Sequence, residues 1–135
     1  MSTDTNKEVV RRFVDHVFVK LNMDAVDELV ADDFVSHNWP SEPDSKTALK
    51  AATVRVGQGL ADISFSVDDL IAEDDRVVAR LTSRARQVGP FMGMPPSGRS
   101  YEIGEIHIFR LRDGRLVEHW YEMDAMGLMK QLKSD

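Results

Sequence analysis

The chain has no cysteine, which excludes disulfides, thiolate metal sites and cysteine nucleophiles together. It has no uninterrupted run of about 18 apolar residues, the length a helix needs to cross a bilayer. Its opening, MSTDTNKEVV, has none of the basic-then-apolar layout that directs secretion. A cytoplasmic protein with no membrane partner is therefore expected. Positive charge is in short supply too: 17 Lys and Arg stand against 23 Asp and Glu, for a formal net charge of -6. That balance repels phosphate backbones and argues against nucleic acid as a partner. Phosphate-cradling and dinucleotide loops are missing, because the stretch from Gly93 to Gly98 contains Pro95 and Pro96 and leads into a predicted strand, whereas those loops lead into a helix. What remains is 135 residues, 42% hydrophobic and 30% charged, the size and composition of one folded domain.

The first third has helical spacing. Val9, Val10, Phe13, Val14, Val17, Phe18 and Leu21 make one apolar stripe, and Thr5 followed by Glu8 resembles a capping box. Asn22 is placed to cap a second helix carrying Met23, Val26, Leu29 and Val30, and Phe34 to His37 reads as extended. A loop from Trp39-Pro40 through Pro43 precedes a third helix that starts near Ser45. From residue 63 the period falls to two. Ile63, Phe65, Val67 and Ile71, then Val77, Ala79 and Leu81, alternate with polar residues around the Glu73-Asp74-Asp75 turn. Two further strands, Tyr101 to Leu111 and Leu116 to Asp124, flank Asp113-Gly114, a strong hairpin signal. A short helix with Met126, Met129 and Leu132 closes the chain. Helices followed by a strand meander predict an α+β fold in which helices cover one face of an antiparallel sheet.

A two-residue turn at Asp113-Gly114 fixes the hairpin register, with paired residue numbers summing to 227. One face then collects Ile103, Glu105, His107, Phe109 and Leu111 opposite Asp124, Glu122, Trp120, Glu118 and Leu116. It is apolar near the turn and ionisable at the far end, as a ligand pocket requires; solvated strand ends would give the same pattern. Glu105 and Glu122 fall directly opposite each other as a like-charge pair. A bulge, for which Gly104 is a candidate, would reverse the parity beyond it. The other face carries Ile106, Ile108, Val117, His119 and Tyr121, an apolar patch that a second copy of the sheet would cover. His16 and His119 read as bystanders in this register.

Phe91-Met92-Gly93-Met94-Pro95-Pro96-Ser97-Gly98-Arg99, Ile106 to Arg110, Asp113 to Trp120, Asp124 and Gln131-Leu132 together resemble the SnoaL-like polyketide cyclase family, as does Phe34-Val35-Ser36-His37-Asn38. The resemblance covers nearly the whole chain. It implies a nuclear transport factor 2-like fold, a strongly bent sheet and its helices enclosing a deep pocket, with dimerisation through the sheet. It further implies an intramolecular aldol-type cyclisation without metal or organic cofactor. In that reading Asp124 matches the general acid/base, and an apolar pocket would raise a carboxyl pKa enough for proton exchange near neutrality. His107 would orient the substrate carbonyl, and His37, Asn38, Trp120, Glu105, Glu122, Ile103 and Phe91 would line the substrate site. The chain departs from many members at Arg86-Gln87, where they carry a threonine-histidine pair.

Asp124 is also well placed to N-cap the final helix. His37, His107, Glu105, Glu122 and Asp124 are all potential metal ligands, yet no two of them have the close helical spacing of a metal motif, so no metal is expected. The same cone-shaped fold serves isomerases, hydrolases and binding modules. A dimeric small-molecule-binding module without chemistry and an epoxide hydrolase therefore stand beside the cyclase-like lyase or isomerase acting on a hydrophobic carbonyl compound.

Overall fold

The computed structural model describes residues 2–39 and 41–133; Pro40, within the predicted loop, lies outside them. Side-chain caps set the helix starts. Ser2 Oγ accepts the Thr5 N–H at 3.1 Å, so α1 (Thr3–Phe13) begins earlier than the Thr5–Glu8 spacing predicts. After Phe13 the helix widens into a π-helical segment, Val14–Val19, in which the Lys20 N–H reaches Asp15 O at 3.1 Å, five residues back. Asn22 caps α2 (Met23–Leu29) as expected, through the Asp24 N–H. Asp44 caps α3 (Ser45–Gly59) through the Thr47 N–H. The predicted extended stretch at Phe34 is the second half of a longer strand, β1 (Val30–Ser36).

The alternating segments form β2 (Leu60–Glu73), β3 (Arg76–Gln87), β4 (Ser100–Arg112) and β5 (Arg115–Met123), followed by α4 (Ala125–Lys133). They make one curled sheet in the order β1-β5-β4-β3-β2, with helices on its concave side, and the α+β expectation holds. The sheet is not wholly antiparallel, because β1 joins it alongside β5 in parallel. Odd-numbered residues of β3 and β4 point inward: Val77, Ala79 and Leu81 with Phe109 and Leu111 meet Val10, Phe13 and Val26 of the helices in the main core. A second cluster, around Leu60, Ile103, Leu128 and Leu132, closes the other end under α4. Gln131 clamps that helix down by accepting the Glu102 N–H and donating to the Glu102 carbonyl.

The β4–β5 register departs from the 227 rule. Arg112 pairs with Arg115 and Leu111 with Leu116, but Arg110 pairs with Glu118 and His107 with Tyr121. Val117 is an extra residue in β5, a bulge that reverses the parity of everything after it. The break thus lies at Val117, not at Gly104. His119, Tyr121 and Met123 consequently face the concave side, while Glu118, Trp120 and Glu122 face outward. Glu105 and Glu122 are not a pair, since Glu105 opposes Met123 and Glu122 opposes Ile106.

Candidate active site

Between the helices and the concave face lies a cavity of about 180 Å³. Its walls are overwhelmingly apolar: Val17, Phe18 and Leu21 from the π-helical segment and its end, Ala52 and Val56 from α3, and Phe65, Ile103 and Met123 from the sheet. The π-helical widening matters here because it supplies Val17 and Phe18 to the wall. Polar side chains enter from the sheet, at Glu105, His107, Tyr121, Tyr101 and Ser83, and from α3 at Thr53.

His107 is 1% exposed, and both its ring nitrogens are engaged. Its Nε2 lies 2.8 Å from Glu105 Oε1 and its Nδ1 lies 2.9 Å from His119 Nε2. His119 Nδ1 in turn lies 3.0 Å from Ser36 Oγ, on β1. A carboxylate only accepts, so the hydrogens of this chain run one way. Ser36 O–H donates to His119, the His119 Nε2–H donates to His107, and the His107 Nε2–H donates to Glu105. Burial, with the charges that His107 and His37 could carry, pushes the His119 pKa down to about 2, so its ring is neutral. Burial pushes the Tyr121 and Tyr101 hydroxyls up, with the Glu105 carboxylate adding to both, and keeps them protonated donors.

Aromatic rings frame this cluster. Trp39 stands 4.0 Å from the His119 ring centre and 5.6 Å from that of Tyr121, and Phe18 lies 5.2 Å from His107. Among the described residues no group of three or more His, Asp or Glu side chains is arranged to hold a metal ion.

Of the residues expected at the site, Glu105, His107, Ile103 and Phe91 line the cavity. The others do not, and the Val117 bulge accounts for Trp120 and Glu122. Trp120 lies on the outer face, stacked on His37 at 5.0 Å with the Arg76 guanidinium 5.0 Å from its centre. Glu122 is exposed there as well. His37 bonds Glu118 at 2.7 Å, and Glu118 is held below the usual carboxylate range by Arg110 and His37. Asn38 Oδ1 accepts the Tyr121 N–H at 2.8 Å, a side chain continuing the strand pairing of β1. Asp124 is exposed beyond the end of β5, and its Oδ1 accepts the Gly127 N–H at 2.9 Å as the N-cap of α4. The sequence reading missed His119 and Tyr121, which it set on the outer face. The signal was Leu116-Val117, two adjacent apolar residues that break the alternation where the bulge falls.

A curled, mostly antiparallel sheet with helices packed on its concave side defines the class of nuclear transport factor 2-like proteins. The chain belongs to the SnoaL-like polyketide cyclase family, whose profile matches residues 8–132. The structure of TsrD from Streptomyces laurentii is similar over all of this chain and 99% of its own, with a TM-score of 0.91 and 32% identity. The aklanonic acid methyl ester cyclase DnrD of Streptomyces peucetius is 38% identical over 56 residues, 42% of this chain and 39% of DnrD. The nogalonic acid methyl ester cyclase of Streptomyces nogalater is 36% identical over 56 residues, 42% of each chain. The aligned stretch thus spans about two-fifths of these curated relatives.

Proposed function

We propose that the protein is an acid/base enzyme of the cyclase kind, acting without a cofactor on a hydrophobic carbonyl compound, with Glu105 as the group that exchanges protons with the substrate. The carrying observation is the Glu105 carboxylate itself: its side chain is 10% exposed on a largely apolar cavity wall and is held by a buried histidine. His107 has no nitrogen left for a substrate, because one serves Glu105 and the other His119. It is therefore a positioning residue for the carboxylate and not the orienter of the carbonyl.

In an aldol closure, Glu105 takes the proton from the carbon next to a carbonyl, and the resulting enolate oxygen is met by the Tyr101 hydroxyl or by the Tyr121 hydroxyl turned away from Met123 Sδ, to which it donates at 2.6 Å. The enolate carbon then bonds to a second carbonyl carbon of the same molecule, and the new alkoxide takes the proton back from Glu105. The proton lost from carbon ends on oxygen, so no atom enters or leaves. Asp124, matched to this role by resemblance, is bound to the start of α4 and outside the cavity lining.

The test is deuterium incorporation next to the carbonyl of 2-tetralone in D2O, followed by proton NMR. Wild type should accelerate it, and Glu105→Gln, which keeps shape and the His107 bond, should lose about 10²–10⁴ of the acceleration. Equal rates for the two proteins would overturn the assignment, and no acceleration by wild type would favour the binding module.

We also propose that the outer face of the sheet joins a second copy. Ile71, Val78, Ile108 and Trp120 are successive partners across four strands, a continuous apolar row on the outside, and Ile71 is 63% exposed. This row replaces the predicted one, since His119 and Tyr121 belong inside.

A further inference from the structure

Gln87 ends β3 facing inward, and it is fully buried at 0% exposure. Its Nε2 lies 3.1 Å from the carbonyl oxygens of Gly89 and Met94 and 3.0 Å from that of Pro95. Its Oε1 accepts from the Ser97 hydroxyl at 2.7 Å. The backbone of the same residue donates to Arg99 O at 2.8 Å and accepts from the Gly98 N–H at 3.1 Å. One side chain and its own peptide groups thus gather the whole connection from Gly89 to Arg99.

Pro90, Pro95 and Pro96 have no N–H to give. The internal pairing of the connection is one tight turn, in which Phe91 and Met94 exchange two backbone bonds of 3.1 and 2.9 Å around Met92 and Gly93, both at positive φ. The opposite flank is wedged against the end of α3. The Val88 and Gly89 N–H groups reach Gly59 O at 2.8 and 3.1 Å, and a Cβ on Gly89 would come within 2.3 Å of Gln58 O. Phe91, at the base of this turn, and Met92, at its tip, form part of the cavity wall, and the Phe91 ring lies parallel to Tyr101 at 6.4 Å.

We propose that Gln87 is a positioning residue for ligand binding. By tying the 88–98 connection down, it holds Phe91 and Met92 as the wall that closes on a flat hydrophobic carbonyl compound. The proposal rests on the cavity being the ligand site. Chemistry explains the residue type: three carbonyls and a hydroxyl call for a neutral group with two donors and an acceptor, which a carboxamide provides. A carboxylate would present acceptors to acceptors, and a thioether has no donor.

The probe for testing it is 6-acetyl-2-dimethylaminonaphthalene, a flat apolar ketone whose emission reports the polarity around it. Gln87→Met should weaken its binding about tenfold, as loss of one or two buried hydrogen bonds would. The emission of the bound probe should shift to the red, and amide exchange over residues 88–98 should quicken at least tenfold. Phe91→Ala should weaken the probe to a similar degree, and Gln87→Met added to it should cost less than a further twofold, because Gln87 acts through Phe91. If Gln87→Met fails to fold, Ser97→Ala, which removes the exposed donor to Oε1, should move affinity and emission in the same direction by a smaller amount. Faster loop exchange with unchanged affinity and emission, or losses that multiply in the double variant, would overturn the proposal. No probe binding by wild type would overturn the cavity as ligand site, whereas unchanged loop exchange in Gln87→Met would overturn the part given to Gln87 alone.

Discussion

His119 Nε2 lies 2.9 Å from His107 Nδ1, and the two rings stand side by side on the concave face of the sheet with Ser36 behind one and Glu105 in front of the other. Two adjacent imidazoles share a proton only while at least one of them stays neutral. Burial assigns that state to His119.

A pH dependence of stability follows. The His119 pKa is about 2 in the folded chain against 6.5 for the free side chain, so between these values the unfolded chain binds a proton that the folded one refuses. The stabilisation is fully present above pH 6.5 and falls as the pH drops, by up to about 1.4 kcal/mol per pH unit from this group. Urea unfolding at pH 7.0, 6.0 and 5.0 should show that slope in wild type. His119→Gln should be less stable at pH 7.0 and shallower by one proton. The window lies above the range where the paired carboxylates Glu118 and Asp33, both held low by their partners, take up protons. An identical slope in the variant would show that His119 does not carry the effect.

Asp124 gives the second prediction. As the cap of α4 it should be replaceable by Asn, also a good cap, with almost no loss of stability, whereas Asp124→Ala should cost about 0.5–2 kcal/mol. Deuterium exchange into 2-tetralone should persist in both variants at folded concentrations. A thousandfold loss in the stable Asp124→Asn protein would return the acid/base role to Asp124.

Local signals were legible in the sequence. Asn22 caps its helix through a neighbouring N–H, Asp113-Gly114 turns its hairpin, and Phe13 and Val10 lie on the buried stripe that their spacing indicates. The cavity face of β4 was legible as well, because Tyr101 to Leu111 alternates without a break. The site failed to read through where identity depended on counting past an irregularity. A single extra residue at Val117 is hard to see in a local pattern, yet it decides whether His119 or Trp120 faces the cavity. Asn38 and Gln87 were opaque for another reason: their partners are backbone groups of segments distant in sequence or of irregular shape.

The bulge can be tested directly. Deleting Val117 makes the ladder regular while every later pair, from Arg110 with Glu118 to Glu105 with Met123, keeps its partner, so His119 and Tyr121 stay on the concave side. The deletion variant should therefore remain folded by near-ultraviolet circular dichroism at 25 °C and still bind 6-acetyl-2-dimethylaminonaphthalene. Val117→Ala, which keeps the residue count, should also remain folded, with a loss of about 0.5–3 kcal/mol. A deletion variant that is unfolded, or folded without binding the probe, would show that the register does not follow this pairing.

The outer face supplies the last prediction. Ile108 sits in the middle of the Ile71, Val78, Ile108 and Trp120 row, in β4, so in a two-fold pairing of sheets it would lie near the axis. Asp at this position is tolerable in a monomer, where water reaches the side chain, but in a dimer it would place two carboxylates close together in an apolar contact. Sedimentation velocity should therefore give a dimer for wild type and a monomer for Ile108→Asp, with the far-ultraviolet spectrum unchanged. Ile71→Asp, at the end of the row and more exposed, should weaken the dimer less. His37 supports the row by stacking on Trp120, so His37→Ala should raise the dissociation constant by up to about tenfold without abolishing association. A wild-type monomer at tens of micromolar, or an Ile108→Asp dimer as tight as wild type, would show that the second copy does not sit on this face.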